Sequence, residues 1–533
     1  MNKKTLILAI TLSVTSAASV PVWAANTGGT VNVPEVGDYT GQVVTAATGD
    51  AANKNLVIDT DVTGNVHGGY ISNSGNTGNV NGNTVTVKDK IDIGKNIYGG
   101  YTKGSGAASS NTVYINGDVD SNVWGGRTNG NNADNNKIYI TGGTIAAGVY
   151  GGESGTSSTP NAQANNNEIH ITAVEQAISI NNSGNMHVIG GKSRLIADGN
   201  KIVIGSDNDR FDIEMGKNGA IGGEARQATN NQIIVGSANG TNNINLGFVY
   251  GAWVTGAYEG CYGDGNSVLI QNAKTKIQKE VNGAYGRGKL ASLKNNSVVI
   301  KDGTFKKECW ITGALGEGSN KVLAGNSVDI TGGTFEADVL VVGGLVLESY
   351  NGAKDGNAKV TGNRVKVSNV TMSAVKGSGG IYGGYSKGNG DLEKNEVIIE
   401  EESGKSTVIN VMISGGVNEK TGVAKLNENK VSINGGTINA SVYGAYTEGT
   451  GDAVGNSVTI SGGMLKKEIY GAYTESGTVT GNEINIKGNN GTVPTFADDL
   501  ILYGGFSNNG GEVVGNKLNL YTKGISVGDI KNL

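Results

Sequence analysis

Fifteen times along this chain an asparagine opens the same five-residue pattern, Asn-x-[Val/Ile/Leu]-x-[Val/Ile/Leu]. The asparagines are Asn83, Asn111, Asn136, Asn167, Asn200, Asn231, Asn266, Asn296, Asn326, Asn363, Asn395, Asn429, Asn456, Asn482 and Asn516. The residue between the two aliphatics varies freely, from Thr86 and Tyr114 to His170, Asp329 and Lys366. Strict alternation of this kind describes a strand with one buried face. A single such strand cannot hide its apolar face, so the pattern demands that copies be laid against one another.

A second signature keeps step with the first. A glycine at 68, 99, 125, 151, 190, 222, 251, 283, 313, 343, 383, 415, 444, 471 and 504 is followed each time by Gly or Ala. Two residues earlier stands an aliphatic, from Val66 through Ile97 and Val149 to Leu502. Successive glycines lie about 31 residues apart, inside the window of solenoids and propellers. Between the two signatures there is often Gly-Gly-Thr and an apolar residue, as at Gly142–Ile145, Gly332–Phe335 and Gly435–Ile438. This predicts a tight turn and a further short strand, so each unit holds two or three strands. Stretch 429–446, NKVSINGGTINASVYGAY, is the clearest copy.

The reading that satisfies both signatures is an all-β fold, an elongated β-solenoid (parallel β-helix) of about fifteen coils. Stacking at the spacing of adjacent strands makes a rod roughly 70 Å long. Crossover connections between parallel strands favour a right-handed coil. A propeller is disfavoured, since its blades need four strands in about 40 residues and close at a fixed count. The recurring asparagines, Asn266, Asn296, Asn326, Asn429, Asn456 and Asn482 among them, are expected to form a buried ladder, because an amide can bond to copies above and below. The small residue after each aliphatic predicts a thin waist where a side chain would clash.

Residues 1–24 read as a secretory signal peptide. Lys3 and Lys4 form the charged start, Leu6 to about Val14 the apolar core, and Val22-Trp23-Ala24 the cleavage site. Residues 25–54 read as an N-terminal cap or linker, 55–520 as the solenoid, and 521–533 as a truncated last coil or tail. Leu56–Ile58 look out of phase with the asparagine rule and are taken as part of a degenerate first coil. The polar stretches 152–166, 172–186 and 345–362 are placed as loops on the outside. No later segment is apolar enough to cross a bilayer as a helix. The chain is therefore expected to be exported.

The most distinctive decoration is aromatic. Just before the glycine stand Tyr98, Trp124, Tyr150, Tyr250, Tyr382, Tyr443, Tyr470 and Tyr503. Two residues after it stand Tyr70, Tyr101, Trp253, Tyr285, Tyr385, Tyr446, Tyr473 and Phe506. The neighbouring aliphatic points inward, so the first column should point outward. An exposed aromatic column could hold sugar rings or a partner protein. The alternative is that the rings stack on one another and only stabilise the sheet.

A signal peptide followed by a long Gly/Asn-rich array of N-x-[VI]-x-[VI], Gly-Gly-Thr and VYGGY units resembles the passenger region of Gram-negative autotransporters and related repeat adhesins. The resemblance covers nearly everything after residue 50. It implies a surface-exposed, often adhesive β-helix carried by a C-terminal outer-membrane barrel. No block of alternating ten-residue strands follows Leu520, so that barrel is expected outside this chain. Host or bacterial surface proteins or glycans are the partners the resemblance implies, at the cell surface or outside a Gram-negative cell.

Little here suggests chemistry. The net charge of -5 gives no case for nucleic acid. His67, His170 and His187 read as surface residues, and no zinc-binding spacing is present. No phosphate-binding glycine motif sits between a strand and a helix. No cofactor or metal is expected. Cys261 and Cys309 fall at different phases of their coils, and whether they pair is left open. Three readings compete. One is an adhesin or structural surface rod. The second is an enzyme on polysaccharide, which needs two or three outward carboxylates converging within about 10 Å. The third is a truncated, non-functional passenger.

Overall fold

The computed structural model describes residues 37–130, 132–155, 159, 161–180, 187–256, 260–288, 292–318, 321–347, 358–375, 379–419, 422–488 and 493–532. The signal-peptide segment and most of the longest insertion lie outside them. From Val36 onward the chain forms one unit. Every strand pairing among the described residues is parallel, and the strands stack coil upon coil as a β-solenoid.

The asparagine strands form one sixteen-stranded sheet. Its register places like on like: Ile138 on Ile169, Val298 on Val328, Val431 on Val458 and Ile433 on Ile460. These aliphatics are fully buried. The glycine-pair strands and the first Thr-Ile-type strands belong to a second, 27-stranded sheet; later Thr-Ile strands, from Thr371–Met372 to Thr495–Phe496, form a small one of five. The remaining sheet has eleven members of two or three residues, such as Gln227–Thr229, Ser292–Lys294 and Ala453–Val454, each ending one or two residues before an asparagine. The sequence reading missed this wall. Two or three residues are too few to show a period.

The corner between that wall and the asparagine sheet follows one rule. The residue before each of the fifteen asparagines has positive φ, between 52° and 68°. Gly, Asn, Ser110, Lys394 and Glu428 all serve there, and Gly82, Asn166 and Gly265 are typical. One left-handed residue turns the chain inside a single step, which extended backbone cannot do.

The first coil corrects one expectation. Leu56 pairs with Val85 and Ile58 with Val87, so this strand is in phase. Lys54 simply stands where the asparagine would, and its backbone N–H donates to Asn83 Oδ1 at 3.0 Å. Asn55, one residue late, gave the false phase. Pairing also reaches down to Tyr39–Thr40 and Val43–Val44, which lie on the strand Val66–Ile71. At the other end Asp529–Lys531 pair with Ile501–Tyr503, so the tail begins a further coil. The stretch 172–186 is not wholly loop: Ile178–Ile180 is a strand paired on both sides. Among the described residues no helix is long and apolar enough to cross a membrane.

Candidate functional site: the aromatic ridge and its charged break

The glycine pair shapes the longest aromatic surface among the described residues. In the register of successive coils Val66 lies on Ile97, His67 on Tyr98, Gly69 on Gly100 and Tyr70 on Tyr101. Residues on both sides of the pair face outward, and the two glycines between them face inward. A Cβ added to Gly68 would stand 2.9 Å from Asn83 Cβ and press on the carbonyl of Gly99 in the next coil. The predicted thin waist is therefore real. The strand bends at the pair, and the two outward columns converge into one ridge. His67 and Tyr70 stack at 4.7 Å, Tyr98 and Tyr101 at 4.9 Å.

Along the axis the rings also stack. His67, Tyr98, Trp124 and Tyr150 follow one another at 4.8, 4.8 and 5.3 Å, with planes within 12°. Tyr443, Tyr470 and Tyr503 do so at 4.8 and 4.6 Å. The first column thus points outward as expected, yet Tyr98, Trp124, Tyr150, Tyr250 and Tyr382 are buried against their neighbours. Their π faces are spent on each other, which leaves ring edges and hydroxyls for solvent. That arrangement fits the stabilising alternative better than a flat platform for sugars. In the first column Tyr443, Tyr470 and Tyr503 stay half-exposed, and in the second column so do Tyr70, Tyr101, Trp253, Tyr446, Tyr473 and Phe506.

The ridge is interrupted where charge replaces aromatic rings. In the second column Arg127, Glu153, Lys192 and Glu224 occupy four successive coils. Glu153 accepts from Trp124 Nε1 at 2.7 Å and pairs with Arg127 Nε at 3.3 Å. Arg127 lies over Trp124 at 4.7 Å, and Lys192 over Tyr150 at 5.7 Å. Lys192 Nζ lies 3.6 Å from Glu224 Oε1. Burial, reinforced by Glu153, pushes the Glu224 carboxyl above its ordinary range, against the pull of Lys192. Burial also pushes the Tyr150 hydroxyl up to about 12. Farther along, Tyr250 donates to Glu280 at 2.5 Å and Tyr285 to Glu317 at 2.8 Å. Sequence reasoning missed this cluster because it searched the column for rings. The signal was there as alternating charge at one fixed phase.

The asparagine ladder is continuous. In fourteen links from Asn83 to Asn516 each side-chain Nδ2 donates to the next Oδ1 at 2.8–3.1 Å. The same Oδ1 accepts the backbone N–H, as from Asn266 to Asn296 at 3.1 Å. In most coils the other Nδ2 hydrogen reaches back to a carbonyl, as from Asn296 to Gly263 at 3.1 Å. Asn266, Asn296, Asn326, Asn429, Asn456 and Asn482 are all completely buried. The ladder is structural: its amides bond to one another inside the stack.

The histidines are less exposed than expected. His67 is buried in the ridge, and burial lowers its pKa to about 4. His187, packed edge-on to Phe248 at 4.8 Å, is lowered to about 4 by the same cause. His170 caps an outward stack on Tyr139 and Tyr114. Cys261 and Cys309 are buried free thiols. Among the described residues no group of three or more His, Cys, Asp or Glu could hold a metal ion.

Comparison with protein-family models, with curated proteins and with solved structures gives no match to this chain.

Proposed function

We propose that this protein is an exported surface rod of adhesin type, whose side walls present ligand-binding columns far from the membrane. The observation that supports this is the unbroken stack of sixteen strands in one register, fifteen of them opened by asparagine. Such a stack is stiff, and it holds outward residues of different chemistry at a constant spacing. The charged break at Arg127, Glu153, Lys192 and Glu224 and the half-exposed tyrosines of the last coils are the contact regions. Export and the cell-surface location rest on the signal-peptide pattern at residues 1–24.

The test uses the purified chain from Ala25 onward against extracellular-matrix proteins, glycans and whole bacterial cells. Saturable binding weakened by Glu153→Gln with Lys192→Gln is expected. No binding to any of the three would remove the adhesive reading. Protease shaving of intact cells tests the location, and protection of the chain would overturn it.

A second reading, a polysaccharide-active enzyme, has one observation in its favour. Glu153 and Glu224 lie two coils apart, roughly 10 Å along the axis, with the Glu224 carboxyl raised as a general acid requires. Release of reducing ends from polysaccharide, abolished by Glu224→Gln, would replace the rod-adhesin reading.

A further inference from the structure

At the corner where the asparagine strands end, the coils between Glu400 and Lys487 form an open groove. The residue five places after each ladder asparagine stands at this corner, one coil above another. Here it is Glu400, Asn434, Ser461 and Lys487, which with Glu401 and Gly488 line a space of about 470 Å³. Three coil steps make the groove about 14 Å long. In three of the four coils the following residue is glycine, Gly435, Gly462 and Gly488, so no side chain fills the floor. A Cβ at Gly435 would stand 3.0 Å from Glu401 Cβ.

Elsewhere the same corner is satisfied from within. Thr141, Gln271, Thr331 and Ser368 stand at this phase and turn their side chains back onto carbonyls of the preceding coil at 3.2, 3.3, 3.4 and 3.5 Å. Asn434 and Ser461 do not. Their carboxamide and hydroxyl make no hydrogen bond with any described residue, and both reach solvent. At one end of the groove Glu400 is held by Lys366 Nζ at 2.8 Å, and Glu401 accepts from the Thr407 backbone N–H at 2.8 Å. At the other end Lys487 lies over Tyr521 at 5.3 Å and has no carboxylate partner among the described residues. The groove thus offers neutral donors and acceptors along its middle, a cation at one end and carboxylates at the other.

The backbone narrows the class of ligand. The N–H groups of Asn434, Ser461 and Lys487 each donate to the preceding coil at 2.8 Å, so no strand edge is open to a peptide main chain. The lining side chains are polar throughout, which leaves no pocket for an apolar side chain. Hydroxyl and carboxamide groups at a fixed rung spacing match a ligand that carries hydroxyls along its length. We infer that this groove binds a linear oligosaccharide lying along the axis, neutral over Asn434 and Ser461 and acidic where it meets Lys487. Glu400 and Glu401 oppose a carboxylate at the other end, so the chain binds in one direction. The site is on a different wall from the aromatic ridge and does not depend on it.

The experiment uses the chain from Ala25 onward and a labelled tetrasaccharide of neutral hexoses ending in one uronic acid, with the form reduced to a neutral sugar as control. Saturable one-to-one binding by fluorescence anisotropy is expected, tighter for the acidic form. Asn434→Ala with Ser461→Ala should weaken both forms about tenfold, the effect of two lost hydrogen bonds. Lys487→Gln should remove the preference for the acidic form and its salt dependence, and leave the neutral form unchanged. The urea midpoints of these variants should match the parent, since Asn434 and Ser461 bond to nothing in the chain. No binding of either form overturns the inference, as does parental affinity in the Asn434/Ser461 variant. Loss of binding with Glu153→Gln and Lys192→Gln alone also overturns it, moving the ligand to the ridge and leaving the surface-rod reading in place. Binding in the groove by a chain that attaches to no cell or matrix protein upholds this site and removes that reading.

Discussion

At the scale of the residue, buried asparagine and left-handed corners decide most. Asn296→Ala removes the oxygen that accepts both the Asn266 backbone N–H and its amide. Two buried donors are left unmatched, so a loss of roughly 3 kcal/mol is expected, read as a lower urea midpoint. Ser110 holds φ of 57° at the corner before Asn111. A side chain in that conformation costs about 1 kcal/mol, so Ser110→Gly should raise the midpoint by a similar amount. His67 gives a pH dependence of known sign. Its folded pKa of about 4 lies below the unfolded value, so its contribution is complete above about pH 6.5. It is lost as pH falls through 6.5 toward 4, where the unfolded chain takes up a proton that the folded one refuses. Up to about 3 kcal/mol is at stake. His67→Phe should flatten denaturation midpoints measured at pH 7, 5.5 and 4.5.

At the scale of the element, the glycine-pair strand shows why two adjacent small residues are not equivalent. The first glycine never gives way to alanine, while the second does at Ala252, Ala284, Ala314, Ala445 and Ala472. A Cβ on the first would press on a backbone carbonyl of the next coil, which the sheet holds in place. Gly283→Ala should therefore destabilise by several times more than Ala284→Gly, whose cost of about 1 kcal/mol is that of an added glycine. The ridge adds its own prediction. Tyr470 stacks on Tyr443 and Tyr503 at 4.8 and 4.6 Å, so Tyr470→Ala breaks two ring pairs and should cost roughly 3 kcal/mol. Some of this was legible beforehand: the strand phase and the outward first column followed from alternation, and the thin waist from the run of small residues. What was not legible was the bend at the pair: strict alternation from Val66 would turn Gly69 outward and Tyr70 inward, whereas both glycines face inward and the two ring columns meet in one ridge.

At the scale of the whole molecule, contacts join each coil to its two neighbours. Stability of such an array is a sum of nearest-neighbour terms, so opening should start where a coil has one neighbour. Amide exchange is expected to be fastest around 513–520 and slowest in the central asparagine strands near 298–330, a gradient that uniform exchange would contradict. The charged break and the ladder also differ in what they say about function. The ladder repeats without change and holds the rod together. The break changes residue at every coil, and chemistry that varies along a constant frame is what a binding wall requires.

The chain's own pattern determined the class of fold, because an asparagine and two aliphatics at one phase can be buried only by copies of themselves. It also determined the coil count, the ladder and the waist, each a local consequence of that phase. Burial of the aromatic column and the contacts that join Arg127, Glu153, Lys192 and Glu224 into one cluster were decided only by the tertiary structure. Those properties depend on what lies above, below and around a residue some 30 positions away in sequence. No local periodicity carries that distance.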